Sequence, residues 1–386
     1  MNPNFYTNVL RRLRPDVPPT VQVAFPGPDL YFEEVRLHGP DDPVVGPYVM
    51  PLVTLRTPPC RWSVGSGCLM CGYHLASTPG PRPMDLMGQT ERAIRRLDPR
   101  TYPALVFTSN GSFLDPAEVP DDTRPLLISR LRSAGFRFVT VESRAEYVTA
   151  ERLAGLRAAF EADGAQASRG VSVSIGLESS DSEILRWCVN KGLEPQQASA
   201  AFEILGAQRV PFDCYVLLGK PFLSAREDVA DALQTIRFAI DRGASYVFVM
   251  VMNLMPLSLT EYLQKRGRYH LPSLWRAVEL LEALPADHRA LVQVKGFSRA
   301  PVPPLAFATT CPRCEETVKS ALNLWNQTAD IEHLRALPGC LCRAAFLAGE
   351  WAETGSRPLR DRVREECDRL ATELAVPPPS PEPMRG

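Results

Sequence analysis

Seven of the ten cysteines fall into two groups whose spacing could hold metal. The first lies in Thr57–His74, TPPCRWSVGSGCLMCGYH, as Cys60-x7-Cys68-x2-Cys71. Three thiolates close together on a loop can hold a metal ion or an iron–sulfur cluster, and Gly65, Gly67 and Gly72 let the backbone wrap tightly around it. No fourth Cys or His completes the set at ligand spacing, although His74 is near. Structural zinc sites are closed by four protein ligands, whereas a four-iron cluster on three cysteines leaves one iron open to an outside ligand. A zinc site completed by His74 or a distant residue, and three incidental thiols, are the alternatives. The second group pairs Cys311-x2-Cys314 with Cys340-x-Cys342 across 25 intervening residues. Two close pairs suit a tetrahedral zinc site or an auxiliary four-iron cluster held entirely by protein. Because Cys-x-Cys is tight, His333 is an alternative to one of its thiolates. Cys188, Cys214 and Cys367 read as unpartnered core or helix cysteines.

A frame must position these loops. Residues 51–260 alternate apolar, β-branched runs with amphipathic helical stretches. The runs are Pro51–Arg56, Ala104–Thr108, Phe136–Glu142, Val171–Leu177, Phe212–Leu218 and Tyr246–Asn253. Helical patterns cover Thr90–Leu97, Thr123–Ala134, Ala150–Glu161, Gln196–Leu205 and Val229–Arg242. Six strands alternating with helices predict an α/β fold with a parallel sheet, either doubly wound or a partial barrel. In both, ligands gather at the carboxyl ends of the strands. Residues 1–50 form a Pro-rich N-terminal extension with expected strands near Val21–Phe25 and Leu30–Arg36. Residues 261–375 are expected to be a mostly helical, Cys-rich extension, and 376–386 a disordered tail.

A three-cysteine loop directly after the first strand of a six-fold βα array resembles the radical S-adenosylmethionine superfamily. Seven residues separate its first two cysteines where three are usual. The wider spacing is similar to the branch of the elongator catalytic subunit, and within it to the archaeosine synthase radical subunit family. Met70 stands where an aromatic residue often precedes the third cysteine. The likeness continues at each strand end: Phe107-Thr-Ser-Asn-Gly-Ser-Phe-Leu-Asp115, Val141-Glu-Ser-Arg-Ala-Glu-Tyr147, with Ala145 for the usual proline, and Ile175-Gly-Leu-Glu-Ser-Ser180. Val189-Asn-Lys-Gly192, Leu218-Gly-Lys-Pro-Phe222 and Tyr269-His-Leu-Pro-Ser-Leu-Trp275 follow in order. The match runs from about 50 to 345, and its breadth makes it specific.

The resemblance implies a partial (βα)6 barrel and a 4Fe–4S cluster on Cys60, Cys68 and Cys71. The open iron would chelate the amino and carboxylate groups of S-adenosylmethionine. Asn110, Gly111 and Ser112 are the expected partners of the ammonium group, Arg144 of the carboxylate, and Tyr73 of the adenine through its backbone. Ser179 and Asn253, at the ends of the fourth and sixth runs, are expected beside the cofactor. Glu142 and Glu178, also at strand ends, are expected to touch ribose, sulfonium or substrate. Lys191 and Lys220 are candidates for an anionic substrate group, because lysine occurs only at 191, 220, 265, 295 and 319. For Cys311, Cys314, Cys340 and Cys342 the resemblance favours one zinc ion. Met250, Met252 and Met255 read either as core filling or as adenine packing.

Composition narrows the function classes. At 386 residues with 45% hydrophobic and 23% charged residues, the chain is an ordinary globular protein rather than a disordered one. The net charge of -1 excludes an overall positive field for nucleic acid, though not a local basic groove. Arg supplies 38 of the 43 basic residues, and the 37 prolines are about twice the usual ~5%. That bias is read as GC-rich coding, so an isolated Arg carries little weight. The most apolar stretch, Tyr246–Leu259, is too short for a bilayer at ~20 residues. A cytoplasmic protein without membrane association is expected, with thiols reduced. There is no G-x-G-x-x-G, Walker A or H-E-x-x-H motif. The expected function is reductive cleavage of S-adenosylmethionine and hydrogen abstraction from a small or carrier-bound metabolite, as a C–N lyase in a biosynthetic pathway. The alternatives are an archaeosine-type lyase acting on a modified deazaguanine in tRNA, and a zinc-stabilised, non-catalytic binding protein. An electron donor such as a ferredoxin or flavodoxin is an implied partner.

Overall fold

The computed structural model describes residues 5–14, 29–37, 46–77, 83–161, 170–297, 302–352 and 357–378. The apolar runs become strands of one sheet in sequence order: β1 (Asp29–Leu37), β2 (Gly46–Leu55), β3 (Ala104–Ser109), β4 (Phe138–Ser143), β5 (Val171–Glu178), β6 (Phe212–Leu218), β7 (Tyr246–Val251) and β8 (Val292–Lys295). β1 pairs antiparallel with β2, and every later pair is parallel. Seven parallel strands thus curl into a half-barrel with helices on its outer face, the partial radical SAM barrel. Parallel strands buried on both faces read as near-continuous apolar runs, and β3 is buried along its whole length.

The sequence pattern marks six of these seven. Val292–Lys295 is too short and too polar to stand out as a run, yet all four of its residues are buried. Its edge is covered by the helix Glu315–Thr328, whose Asn326 accepts from Val294 N at 2.8 Å and donates to Val294 O at 2.6 Å. Trp325 Nε1 donates to Val292 O at 3.1 Å. The expected strand near Leu30–Arg36 is β1. The one near Val21–Phe25, and positions 379–386 of the tail, lie outside the described residues. Among the described residues no helix is long and apolar enough to cross a membrane.

The core between sheet and helices is largely apolar, but an ionic network within it bears on two expected site residues. Lys220 is only 1% exposed. Its Nζ lies 2.9 Å from Asp228 Oδ1 and 3.1 Å from Asp231 Oδ2, and donates to the carbonyl of Leu217. Arg276 adds a second cation to Asp228 at 3.1 Å, and Ser179 Oγ donates to Asp231 at 2.6 Å. Burial would raise the Asp228 carboxyl, but Lys220 and Arg276 hold it below its usual range. Lys220 and Ser179 therefore tie the ends of β5 and β6 to the helices Ala225–Ile240 and Leu274–Glu282. The two acids of the following helix claim the lysine. Replacing Lys220 with Met leaves two buried carboxylates with one cation. We expect a loss of about 3–5 kcal/mol, measured by urea unfolding; a loss under about 1 kcal/mol, the value of an exposed pair, would show that the network is not needed.

Candidate active site

A cavity of about 280 Å³ opens at the carboxyl ends of the barrel strands. Cys60, Cys68 and Cys71 line one side of it, with Met70, Gly72 and Tyr73 of the same loop. The long spacing between the first two cysteines has a structural purpose. It folds into the short helix Arg61–Gly65, which Cys60 precedes as N-cap. Trp62 of that helix donates its indole N–H to Asn190 O at 2.7 Å and lies against Gly192, whose φ of +62° and lack of a Cβ admit the ring. Asn190, itself left-handed at φ 53°, donates to Gly67 O at 2.6 Å and Ser66 Oγ at 3.0 Å, and Leu69 N donates to Val189 O. The Val189–Gly192 motif thus holds the cysteine loop.

In the bare loop burial works against ionising two of the three thiols. Burial raises Cys60, opposed by the Arg144 guanidinium, and pushes Cys71 up to about 12 with Cys68 adding to the effect. A bound metal core reverses this, because its positive charge deprotonates the ligands. Among the described residues, only the C-terminal cysteines bring their ligand atoms within 4.8 Å of one another as a group of three or more. His74 does not join the loop thiols: both ring nitrogens are buried without a partner, and burial lowers its pKa to about 4.

Next to the thiols stand the strand-end residues. Asn110 and Gly111 line the cavity, and Asn110 Nδ2 donates to Ala76 O at 3.0 Å. A Cβ on Gly111 would come within 2.7 Å of Cys60 Cβ, so only glycine lets the two loops approach. Arg144 lines the cavity with its Nη2 donating to Lys191 O at 2.7 Å and its Nε to Glu146 at 2.5 Å. Glu178 sits at a β-bulge with φ 68°, a strained conformation that turns its side chain to the cavity, where Lys191 Nζ donates to it at 3.0 Å. Burial works against the charge of Lys191, but Glu178 and Cys68 together more than offset it and hold the lysine above its usual range. Glu142 accepts from Tyr215 OH at 2.5 Å, and Asn253 exposes to the cavity wall a buried Oδ1 with no protein partner. Met250, Met252 and Met255 all line the cavity.

Ser112 is the third expected residue, with Lys220 and Ser179, that does not line the cavity. Its backbone N–H donates to Glu118 Oε1 at 2.9 Å and its Oγ accepts from Arg144 N, so it braces the loop from behind. Glu118 carries no signal in the sequence pattern. It is 1% exposed, accepts from Ser109 Oγ at 2.7 Å as well, and burial raises it from 4.5 to about 7. Lys295 on β8 is a further site residue outside the sequence expectations, although the scarcity of lysine applies to it as much as to Lys191. It lines the cavity with Nζ 4.0 Å from the centre of the Phe248 ring.

The C-terminal cysteines converge. Sulfur–sulfur distances are 3.5 Å for Cys311–Cys314 and Cys311–Cys340, 3.2 Å for Cys314–Cys342 and 3.4 Å for Cys340–Cys342. Four sulfurs on one ion at ~2.3 Å would stand ~3.8 Å apart. The set is thus spaced for a single tetrahedral ion, and His333 is not part of it. Burial raises Cys314 to about 12; against the same push, the Trp275 indole N–H at 3.2 Å and neighbouring thiols bring Cys342 to about 6.

Glu118 makes a checkable difference to stability. A carboxyl at about 7 in the folded chain and 4.5 unfolded favours folding most below pH 4.5, and that contribution drains away as pH rises towards 7. Between those limits the metal-free chain should lose on the order of 3 kcal/mol relative to Glu118→Gln, by chemical denaturation at several pH values. Parallel pH profiles for both chains would refute the assignment.

No family model matches the chain. The archaeosine synthase subunit beta of Methanosarcina acetivorans is 30% identical over 303 residues, which are 75% of this chain and 82% of that protein. The archaeosine synthase subunit beta of Thermococcus kodakarensis is 29% identical over 250 residues, 62% of this chain and 74% of that protein. Among solved structures, methylornithine synthase matches with a TM-score of 0.47 and 12% identity, covering 85% of this chain and 82% of that one. With its three-cysteine loop and its identity to the Methanosarcina protein across 82% of the latter, the chain belongs to the archaeosine synthase subunit beta family of radical S-adenosylmethionine enzymes.

Proposed function

We propose that the chain cleaves S-adenosylmethionine reductively and uses the product radical to abstract hydrogen from a small or carrier-bound metabolite, as a C–N lyase of a biosynthetic pathway. The observation that carries this reading is one cavity, largely apolar, that joins the three thiols to the polar strand-end side chains. When bound, the 4Fe–4S cluster on Cys60, Cys68 and Cys71 supplies the electron that breaks the sulfur–carbon bond. Asn110 and Gly111 would meet the ammonium group of the methionine moiety, Arg144 its carboxylate, Tyr73 and Asn253 the nucleoside. Glu142, Glu178 and Lys191 are left for ribose and substrate. At about 280 Å³ the cavity is at the lower edge of ligand-pocket volumes of ~300–1,000 Å³.

A second reading is favoured by the relatives named archaeosine synthase subunit beta: the same chemistry on a modified deazaguanine in tRNA. The net charge of -1 weighs against extensive phosphate contacts. The sulfur spacing of the C-terminal group supports zinc there over an auxiliary cluster. Anaerobic reconstitution should return about four irons and one zinc per chain, with 5′-deoxyadenosine released on reduction. Cys68→Ala should lose iron and nucleoside release while staying folded, and Cys342→Ser should lose zinc alone. Eight irons without zinc would overturn the zinc assignment. For the substrate, a tRNA gel shift whose affinity falls steeply with salt, ~0.7–0.9 log units per log unit of salt for each phosphate contact, would replace the metabolite reading with the tRNA one.

A further inference from the structure

The N-terminal helix Phe5–Leu13 buries Phe5, Tyr6, Val9 and Leu10 against the helices Leu259–Gln264 and Leu359–Leu374. Tyr6 OH anchors it by donating to Trp187 O at 2.8 Å. The next residue, Arg14, reaches from the end of this helix into the cysteine loop. Its guanidinium donates to Cys71 O at 3.1 Å, to Ser63 O at 3.3 Å and to Leu257 O at 3.2 Å. One side chain therefore bonds the helix between the first two cysteines, the third cysteine itself, and the turn after β7. Gly67 lies beneath it with φ +100°, and a Cβ there would come within 2.7 Å of Nη1. Leu257, one of the three acceptors, is held left-handed at φ 57°.

All three acceptors are neutral carbonyls, and among the described residues no carboxylate pairs with Arg14. Beside it lie Cys68 and Cys71, whose thiolate forms attract it. Arg144, on the other flank near Cys60 and Cys68, spends its charge partly on Glu146. We infer that Arg14 is a positioning residue for the three-cysteine site, holding the loop closed and placing a half-buried positive charge that raises the reduction potential of the group bound there. This rests on the loop holding a four-iron cluster. One-electron reduction adds one negative charge to that group, and a fixed cation in a poorly screened site stabilises the reduced form more than the oxidised one.

The test uses the full chain and its Arg14→Gln and Arg14→Lys variants, reconstituted with iron and sulfide without oxygen. Iron per chain, the melting temperature of the metal-free chain, and the midpoint potential from an EPR-monitored dithionite titration are read for each. Arg14→Gln should be about tenfold less reduced at the potential that half-reduces the parent chain, which is 59 mV for a one-electron couple. Arg14→Lys should recover most of that shift while losing iron faster to a chelator, since it restores the charge and not the three-way bonding. If Arg14→Gln titrates with the parent, the proposal is overturned, whatever its stability. If Arg14→Gln holds no iron, Arg14→Lys decides: a potential near the parent's supports the role of charge, and a tenfold drop refutes it. A parent chain that binds no iron would fail earlier, removing the cluster reading and the proposal together.

Discussion

The mouth of the barrel depends on how the Cys60–Cys71 loop is held. A glycine-rich loop of this kind has no fold of its own, and three thiols must be kept facing one cavity against their tendency to bury as neutral groups. Its shape is imposed from outside by three sets of backbone hydrogen bonds. Asn190 and Val189 hold its middle, Trp62 wedges its helix against Gly192, and Arg14 bonds its two ends. Each contact joins segments more than forty residues apart in sequence, so the site exists only once the barrel has closed around it.

The rest of the molecule can be understood as support for that geometry. Behind β5 and β6, the Lys220–Asp228–Asp231–Arg276 network fixes two helices by charges that burial leaves no other way to satisfy. In front, Glu118 fills the space behind Gly111 and Ser112 and sets how closely the β3 loop approaches Cys60. Neither group touches the cavity, and both govern where the groups that do touch it are placed.

The C-terminal cysteines reach the cavity through packing. Cys311 and Cys314 lead into the helix Glu315–Thr328, whose Trp325 and Asn326 bond the backbone of β8. β8 in turn carries Lys295 into the cavity wall next to Met250 of β7. A single ion on four converging sulfurs would fix the start of that helix, and so the position of the last strand. The two cysteine groups thus differ in placement: one lines the cavity, and the other converges on itself.

Much of this was legible in the residues. The alternation of apolar runs with amphipathic stretches marked six of the seven parallel strands, because burial on both faces of a parallel sheet demands continuous apolar sequence. The cysteine spacings and the strand-end motifs marked which loops carry chemistry and the family to which they belong. What sequence could not decide was which way each polar residue faces. Lys191 and Lys220 look alike in sequence, yet one meets Glu178 at the cavity and the other is taken by two acids of the next helix. Ser112 and Ser179 fall in the right motifs but turn into the frame, while Lys295, on a strand too short to show a pattern, turns inward. Arg14 was indistinguishable from 37 other arginines until the N-terminal helix docked. Local pattern determines which segments become strands and which loops hold thiols; the pairing of a buried charge depends on neighbours that only the folded half-barrel brings together.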